Sequence, residues 1–142
     1  PWKAQWWTRE VMDRLYSARP DGYCGDEDNG QTSAWYVFSA LGFYPVCPAS
    51  DEYVIGSPLF PRATVTLENG AQLVIEAEGN GPARRYIASA ELNGKPYGHN
   101  FLRHSELERG ARLHFTMSEE PVTTRGTAEE DAPYSFSREN CR

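Results

Sequence analysis

Between Trp2 and Tyr16 the apolar residues Ala4, Trp7, Val11 and Leu15 recur at intervals of three and four. That spacing predicts an α-helix with these residues on its packing stripe. Pro20 ends the segment, and Pro20-Asp21-Gly22 has the composition of a turn. A second helix is predicted from Gln31 to Leu41, with Asp28 or Asn29 near its start and Gly42 just past its end, where a left-handed residue is favoured. Its middle, Ala34-Trp35-Tyr36-Val37-Phe38, is apolar all the way round. A helix of that kind is buried on most sides, and a single neighbouring helix cannot cover it.

After Val46 the period changes from that of a helix to that of a strand. Pro45, Pro48, Pro58 and Pro61 punctuate a connection holding one short strand candidate, Tyr53 to Ile55. Alternating runs follow at Ala63–Leu67, Gln72–Glu76, Tyr86–Leu92 and Arg112–Met117, each predicted as a strand with one buried face. Glu68-Asn69-Gly70, Gly79-Asn80-Gly81 and Asn93-Gly94 are hairpin-type turn signals between them. Ser105 to Arg109 reads as one helical turn, and the tail from Thr123 has no period, so it is expected to be irregular or partly mobile. The expected fold class is α+β: an N-terminal helical hairpin over 1–48 with an acidic loop at 21–31, an antiparallel sheet or sandwich over 49–122, and the tail at 123–142.

Composition narrows the partners. The 142 residues carry a formal charge of −6, whereas nucleic acid and anionic membranes call for a basic surface. Neutral ligands such as sugars, and cations, remain compatible. No apolar run approaches the roughly 20 residues that span a bilayer, so no membrane insertion is expected. Cys24, Cys47 and Cys141 form neither a CxxC pair nor a zinc-like spacing, and one disulfide plus a free thiol stays open. The chain opens on Pro1-Trp2, already in helical pattern, and is expected to be a piece of a longer protein, so it says nothing of targeting.

The candidate chemistry lies at Asp26-Glu27-Asp28, in a glycine-flanked loop directly before the apolar second helix. Acids there have three uses. Capping the helix and complementing its dipole contributes about 0.3–1 kcal/mol each. An EF-hand calcium loop fails on spacing: counted from Asp26, position 5 is Gly30, position 6 Gln31 and position 12 Val37. Acid–base chemistry in an inverting glycosidase needs an acid and a base roughly 6.5–9.5 Å apart. Asp26 and Asp28, two residues apart, are poorly placed as that pair but suited to holding one water jointly, with the acid supplied from elsewhere.

The stretch PDGYCGDEDNGQTSAWYVFSALGFYPVCPASDEYVIGSPLF resembles the signature of glycoside hydrolase family 92, the calcium-dependent exo-acting α-mannosidases. The likeness extends to WWTREVMDRLY before it, YIASAELNGKPY, and GTAEEDAPYSFS in the tail. The resemblance implies hydrolysis of terminal α-linked mannose, often α-1,2, with inversion, at a site between an N-terminal β-sandwich and an (α/α)6 barrel. The two helices here would be the last of that barrel. In the family pattern G-[DN]-[ED]-D-x-G-Q, Asp28 falls at the general base and Asp26 at its companion on the attacking water. Glu27 falls at a variable acidic position with no catalytic role. Thr32 stands where the family usually has Met, and Asp26 where it commonly has Asn. The general-acid glutamate and the Ca2+ ligands are implied to lie upstream, outside this chain, so the chain alone is expected to be inactive. Implied partners are mannose-containing glycans and the missing N-terminal portion; the implied location is secreted, periplasmic or cell-surface.

A competing reading is a self-standing β-sandwich module that binds glycans or is purely structural. Exposure separates the two, since a severed piece leaves a large apolar face around Trp35. The remaining polar and aromatic residues are read as structural: isolated His99, His104 and His114, packing tryptophans Trp2, Trp6 and Trp7, scattered Tyr97, Phe101 and Tyr134, and Cys24 as a buried thiol.

Overall fold

The computed structural model describes residues 1–139. Two helices lead, α1 (Trp2–Leu15) and α2 (Gln31–Leu41), followed by β1 (Phe43–Tyr44), β2 (Glu52–Ile55), β3 (Arg62–Thr66), β4 (Gln72–Glu78), β5 (Tyr86–Leu92), β6 (Lys95–Pro96), β7 (Phe101–Arg103), α3 (His104–Leu107), β8 (Ala111–Ser118) and α4 (Phe136–Glu139). The α+β class and the alternating strands are as expected. The sheets run β3-β4-β8-β5-β6 and β1-β2-β7.

One pairing departs from an all-antiparallel sheet: β4 and β8 run parallel. β8 inserts between β4 and β5, so the Gly79-Asn80-Gly81 signal does not close a hairpin. The Asn80 amide instead donates to the carbonyls of Pro58 (3.3 Å) and Leu59 (3.0 Å). The core follows the alternation: Leu73, Ile75 and Ala77 on β4, and Leu113, Phe115 and Met117 on β8, are buried. On β5 the strict period breaks. A bulge between Ile87 and Ser89 lets Ile87 and the later Ala90 and Leu92 all face inward.

α2 ends as predicted, with Gly42 at φ 106° donating its N–H to Phe38 and Ser39. α1 does not bury the face its apolar spacing suggests. Trp7 is 61% exposed and Leu15 49%, while Gln5, Arg9, Glu10 and Met12 are the buried residues. The reason is a set of polar contacts with the sheet. The Ile87 N–H donates to Gln5 Oε1 (3.0 Å), Arg9 Nη1 donates to Pro58 O (2.8 Å) and to Asn80 Oδ1 (3.0 Å), and Arg85 pairs with Glu10 and Asp13. These bonds offset much of the desolvation cost of burying polar groups, although Arg9 Nε is left without a partner among the described residues. Ala4, Trp7 and Leu15 of the apolar stripe are exposed, and Val11 is half-buried.

Arg125 and Gly126, in the segment read as irregular, are tied down. Arg125 reaches the carbonyls of Tyr97 and His99 and the side chain of Asn100, each at 3.2 Å, and the Asn100 amide donates to Gly126 O (2.7 Å). Cys24 is exposed rather than buried; it and Cys47 are free thiols, and Cys141 lies outside the described residues.

An ion pair at the α1 docking face and another within the sheet set a pH dependence. The hydrogen bond from Arg85 holds the Glu10 carboxyl below its usual range, aided by the charges of Arg14 and Arg85, and Arg112 does the same for Glu76. A depressed folded-state pKa contributes stability that is present above the unfolded value and lost as pH falls through the folded one. The expected result is a Tm that drops as pH falls below about 4.5, the carboxylate range. Thermal melts at several pH values check it, and Glu10→Gln with Glu76→Gln should flatten that slope; an unchanged slope would reject the assignment.

Candidate active site

The loop between the helices begins with a tight turn. The Gly22 N–H donates to Arg19 O, and the Gly22 carbonyl accepts from Ser17 N–H, both at 3.0 Å. A β-carbon at Gly22 would sit 2.0 Å from Ser17 O, so the glycine of the predicted turn is required by space. Tyr16, at the end of α1, stacks on Trp35 (5.7 Å between centroids), tilts against Tyr36 (5.0 Å), and donates its hydroxyl hydrogen bond to Thr32 O (3.2 Å). Loss of solvent raises the Tyr16 hydroxyl pKa, with Cys24 and Glu27 adding to it, so the phenol stays protonated as a donor. A cleft of about 350 Å³ opens beside it, walled by Tyr16, Tyr23, Ser33, Tyr36 and the 57%-exposed Val37.

The acids come next, and their backbone is unusual. Asp28 (φ 54°), Asn29 (φ 56°) and Gly30 (φ 96°) are consecutive left-handed residues, a conformation Asp, Asn and Gly accept best. This geometry overturns the expectation that an acidic side chain or Asn29 caps α2. Gly30 is the cap residue, with no side-chain cap bond. The first turn is satisfied by main chain instead: Gln31 N–H donates to Asp28 O, and Thr32 N–H to Glu27 O (3.2 Å). The Asp26 and Asp28 side chains are exposed, and among the described residues neither carboxylate accepts a hydrogen bond from the chain. Glu27, half-buried, turns the other way and accepts a short hydrogen bond from Ser33 Oγ.

Two residues that the sequence reading left without a role therefore organise the loop. Ser33 holds Glu27, and Thr32 Oγ1 donates to Asp26 O at 2.9 Å. A methionine at position 32 has no hydroxyl and could not make that bond. Their only signal in the sequence is a hydroxyl pair just inside a helix start. His99, His104 and His114 all lie on or beside the strands, away from this loop in the chain, with His99 against Asp131 and His104 Nδ1 2.9 Å from the Tyr53 hydroxyl.

A resident calcium ion takes six to eight oxygen ligands. Among the described residues no three His, Cys, Asp or Glu side chains are grouped to hold an ion, and Glu27 is committed to Ser33. Among the described residues this donor set does not fit calcium.

The helical pair leaves Trp7, Leu15 and Val37 open, is joined to a mixed β domain, and carries two exposed carboxylates in the loop between the helices. Residues 1–119 match the glycosyl hydrolase family 92 catalytic domain, and the chain belongs to that family. It is 40% identical, with a TM-score of 0.92, to a family GH92 α-mannosidase of Bacteroides thetaiotaomicron, covering 96% of this chain and 18% of that one. A GH92 inverting mannosidase of the same organism is 54% identical, with a TM-score of 0.90, over 96% of this chain and 19% of its own. An uncharacterized secreted glycosidase of Arthroderma benhamiae is 28% identical over 118 residues, 81% of this chain and 15% of the relative. The chain thus spans less than a fifth of the length of these relatives. No helix among the described residues is long and apolar enough to cross a membrane.

Proposed function

We propose that this chain is the C-terminal part of an inverting exo-α-mannosidase acting outside the cytoplasm on terminal α-linked mannose, α-1,2 by preference, and that it supplies the base side of the site. Asp28 takes a proton from a water whose oxygen attacks the anomeric carbon, and Asp26 holds the same water. The glycosidic C–O bond breaks as an acid outside this chain protonates the leaving oxygen. Any calcium is held by residues outside this chain.

The observation that carries the reading is the divided acidic loop. Its middle acid is tied inward to Ser33, while the flanking two stand free at the surface. Carboxylates that accept no bond from the chain are open to a water, as a general base requires. The open faces of Trp7, Leu15 and Val37 favour a larger enclosing domain over a self-standing module.

The test is mannose release from an α-1,2-linked mannobiose by the 142-residue polypeptide, with calcium and then with chelator. No release is expected in either condition, while the full-length enzyme hydrolyses the disaccharide with inversion. Release by the polypeptide, or retention of configuration by the enzyme, would overturn the proposal.

A further inference from the structure

The three left-handed residues after Glu27 are held by few contacts. Asp28 and Asn29 carry a β-carbon into the left-handed region, and such a pair persists only where its surroundings over-determine it. The main-chain bonds closing the turn, Gly30 N–H and Thr32 N–H to Glu27 O, are both 3.2 Å and so at the long end of the range. Two side-chain bridges complete the clamp. Thr32 Oγ1 grips Asp26 O, before Glu27, and Ser33 Oγ grips the Glu27 carboxylate itself. Three of these ties end on Glu27, while Gln31 N–H to Asp28 O, the Thr32 hydroxyl bond and a long contact from Ser33 Oγ to Gly30 O (3.3 Å) do not, so Glu27 is the hub of the turn.

Glu27 is a poor choice if stability alone were at stake. Its Oε2 is shut off from solvent and has no hydrogen-bond partner among the described residues. An unpaired buried polar atom is destabilising. What the arrangement achieves is orientation: with Glu27 turned in to Ser33, Asp26 and Asp28 on either side of it stand out at the surface.

We infer that Glu27 is a positioning residue: its hydrogen bond from Ser33 fixes the turn that aims Asp26 and Asp28 at one water. The inference rests on the proposed base role of Asp28. It assigns Glu27 no proton transfer of its own.

The test is a set of variants in the full-length enzyme, assayed on α-1,2-mannobiose across pH: Glu27→Ala, Glu27→Gln, Ser33→Ala, the double variant Glu27→Ala/Ser33→Ala, and Asp28→Asn. Glu27→Ala is expected to lower kcat about a hundredfold, the size of effect that ångström-scale misplacement produces. KM should hardly change, because the interaction lost matters only in the transition state. In Glu27→Gln the new amide oxygen still accepts from Ser33, so that variant should stay within about tenfold of wild type with the acid limb of its pH profile unmoved. The double variant should be close to Glu27→Ala, since the Ser33–Glu27 bond is lost in both and the further Ser33 Oγ contact to Gly30 O is long, at 3.3 Å. Normal kcat in Glu27→Ala, or a fall in Tm with kcat intact, would leave Glu27 merely structural and overturn the inference. Loss of the acid limb in Glu27→Gln would also overturn it, because Glu27 would then exchange the proton itself. Full activity in Asp28→Asn would instead sink the base assignment. An inactive Asp28→Asn beside a normal Glu27→Ala would sink only the positioning role.

Discussion

Asp28→Asn in the full-length enzyme is expected to lower kcat for an α-1,2-linked mannobiose by about 10²–10⁴-fold, the contribution of a general base. Asparagine is the right replacement. Position 28 has φ 54°, which asparagine accepts readily, whereas alanine would add backbone strain to a chemical loss. Folding should hardly notice, because the carboxylate is exposed and accepts no hydrogen bond from the chain among the described residues. A surface change of this kind stays within about 0.5 kcal/mol. The measurement is kcat beside Tm on the same preparation. A kcat within about tenfold of wild type would mean that the proton goes elsewhere.

The second large effect lies in the core. Phe115 is fully buried at the centre of β8, and its register partners are Ala77 on β4 and Ala90 on β5. The ring thus fills the space above two alanines. Neither neighbour can reach into the hole that Phe115→Ala would leave, so collapse is limited and the loss should sit at the upper end of about 3–5 kcal/mol. Against a net stability of about 5–15 kcal/mol this is a large share. Urea unfolding should show a lower midpoint with an unchanged slope. A loss under about 1.5 kcal/mol would mean that β8 is not the central strand of a tightly packed sheet. Because β8 carries no acidic-loop residue, the enzyme that remains folded should keep its kcat.

The pH-dependent docking of α1 and the role of Glu27 share a cause with these two predictions. In each, a side chain is set by partners that a local pattern does not name. Gln5 meets Ile87, Arg9 meets Pro58 and Asn80, and Glu10 meets Arg85. Periodicity alone assigns the buried face of α1 to Ala4, Trp7, Val11 and Leu15, since apolar spacing is all that a local pattern contains. In the structure Ala4, Trp7 and Leu15 of that stripe are exposed, and the polar face is the one that docks.

By itself the sequence determined what depends on neighbours within a few residues. The alternation of Leu73-Val74-Ile75 and Leu113-His114-Phe115 sets which side chains enter the core, because a strand has period two whatever lies beside it. Gly42 ends α2 because only a residue at ease in the left-handed region closes a helix that way. The acidic loop and its family pattern were likewise legible in one short stretch. Tertiary structure decided the rest. Alternation does not name a strand's partner, so the parallel β4–β8 pair and the bulge in β5 emerge only on assembly. The capping role that composition suggests for Asp28 is absent, because the backbone at 28–30 turns left-handed and hands the helix start to carbonyl oxygens. That same turn leaves Asp26 and Asp28 free, and it exists because Thr32 and Ser33 reach back to hold it, a relation between side chains that only the folded geometry makes.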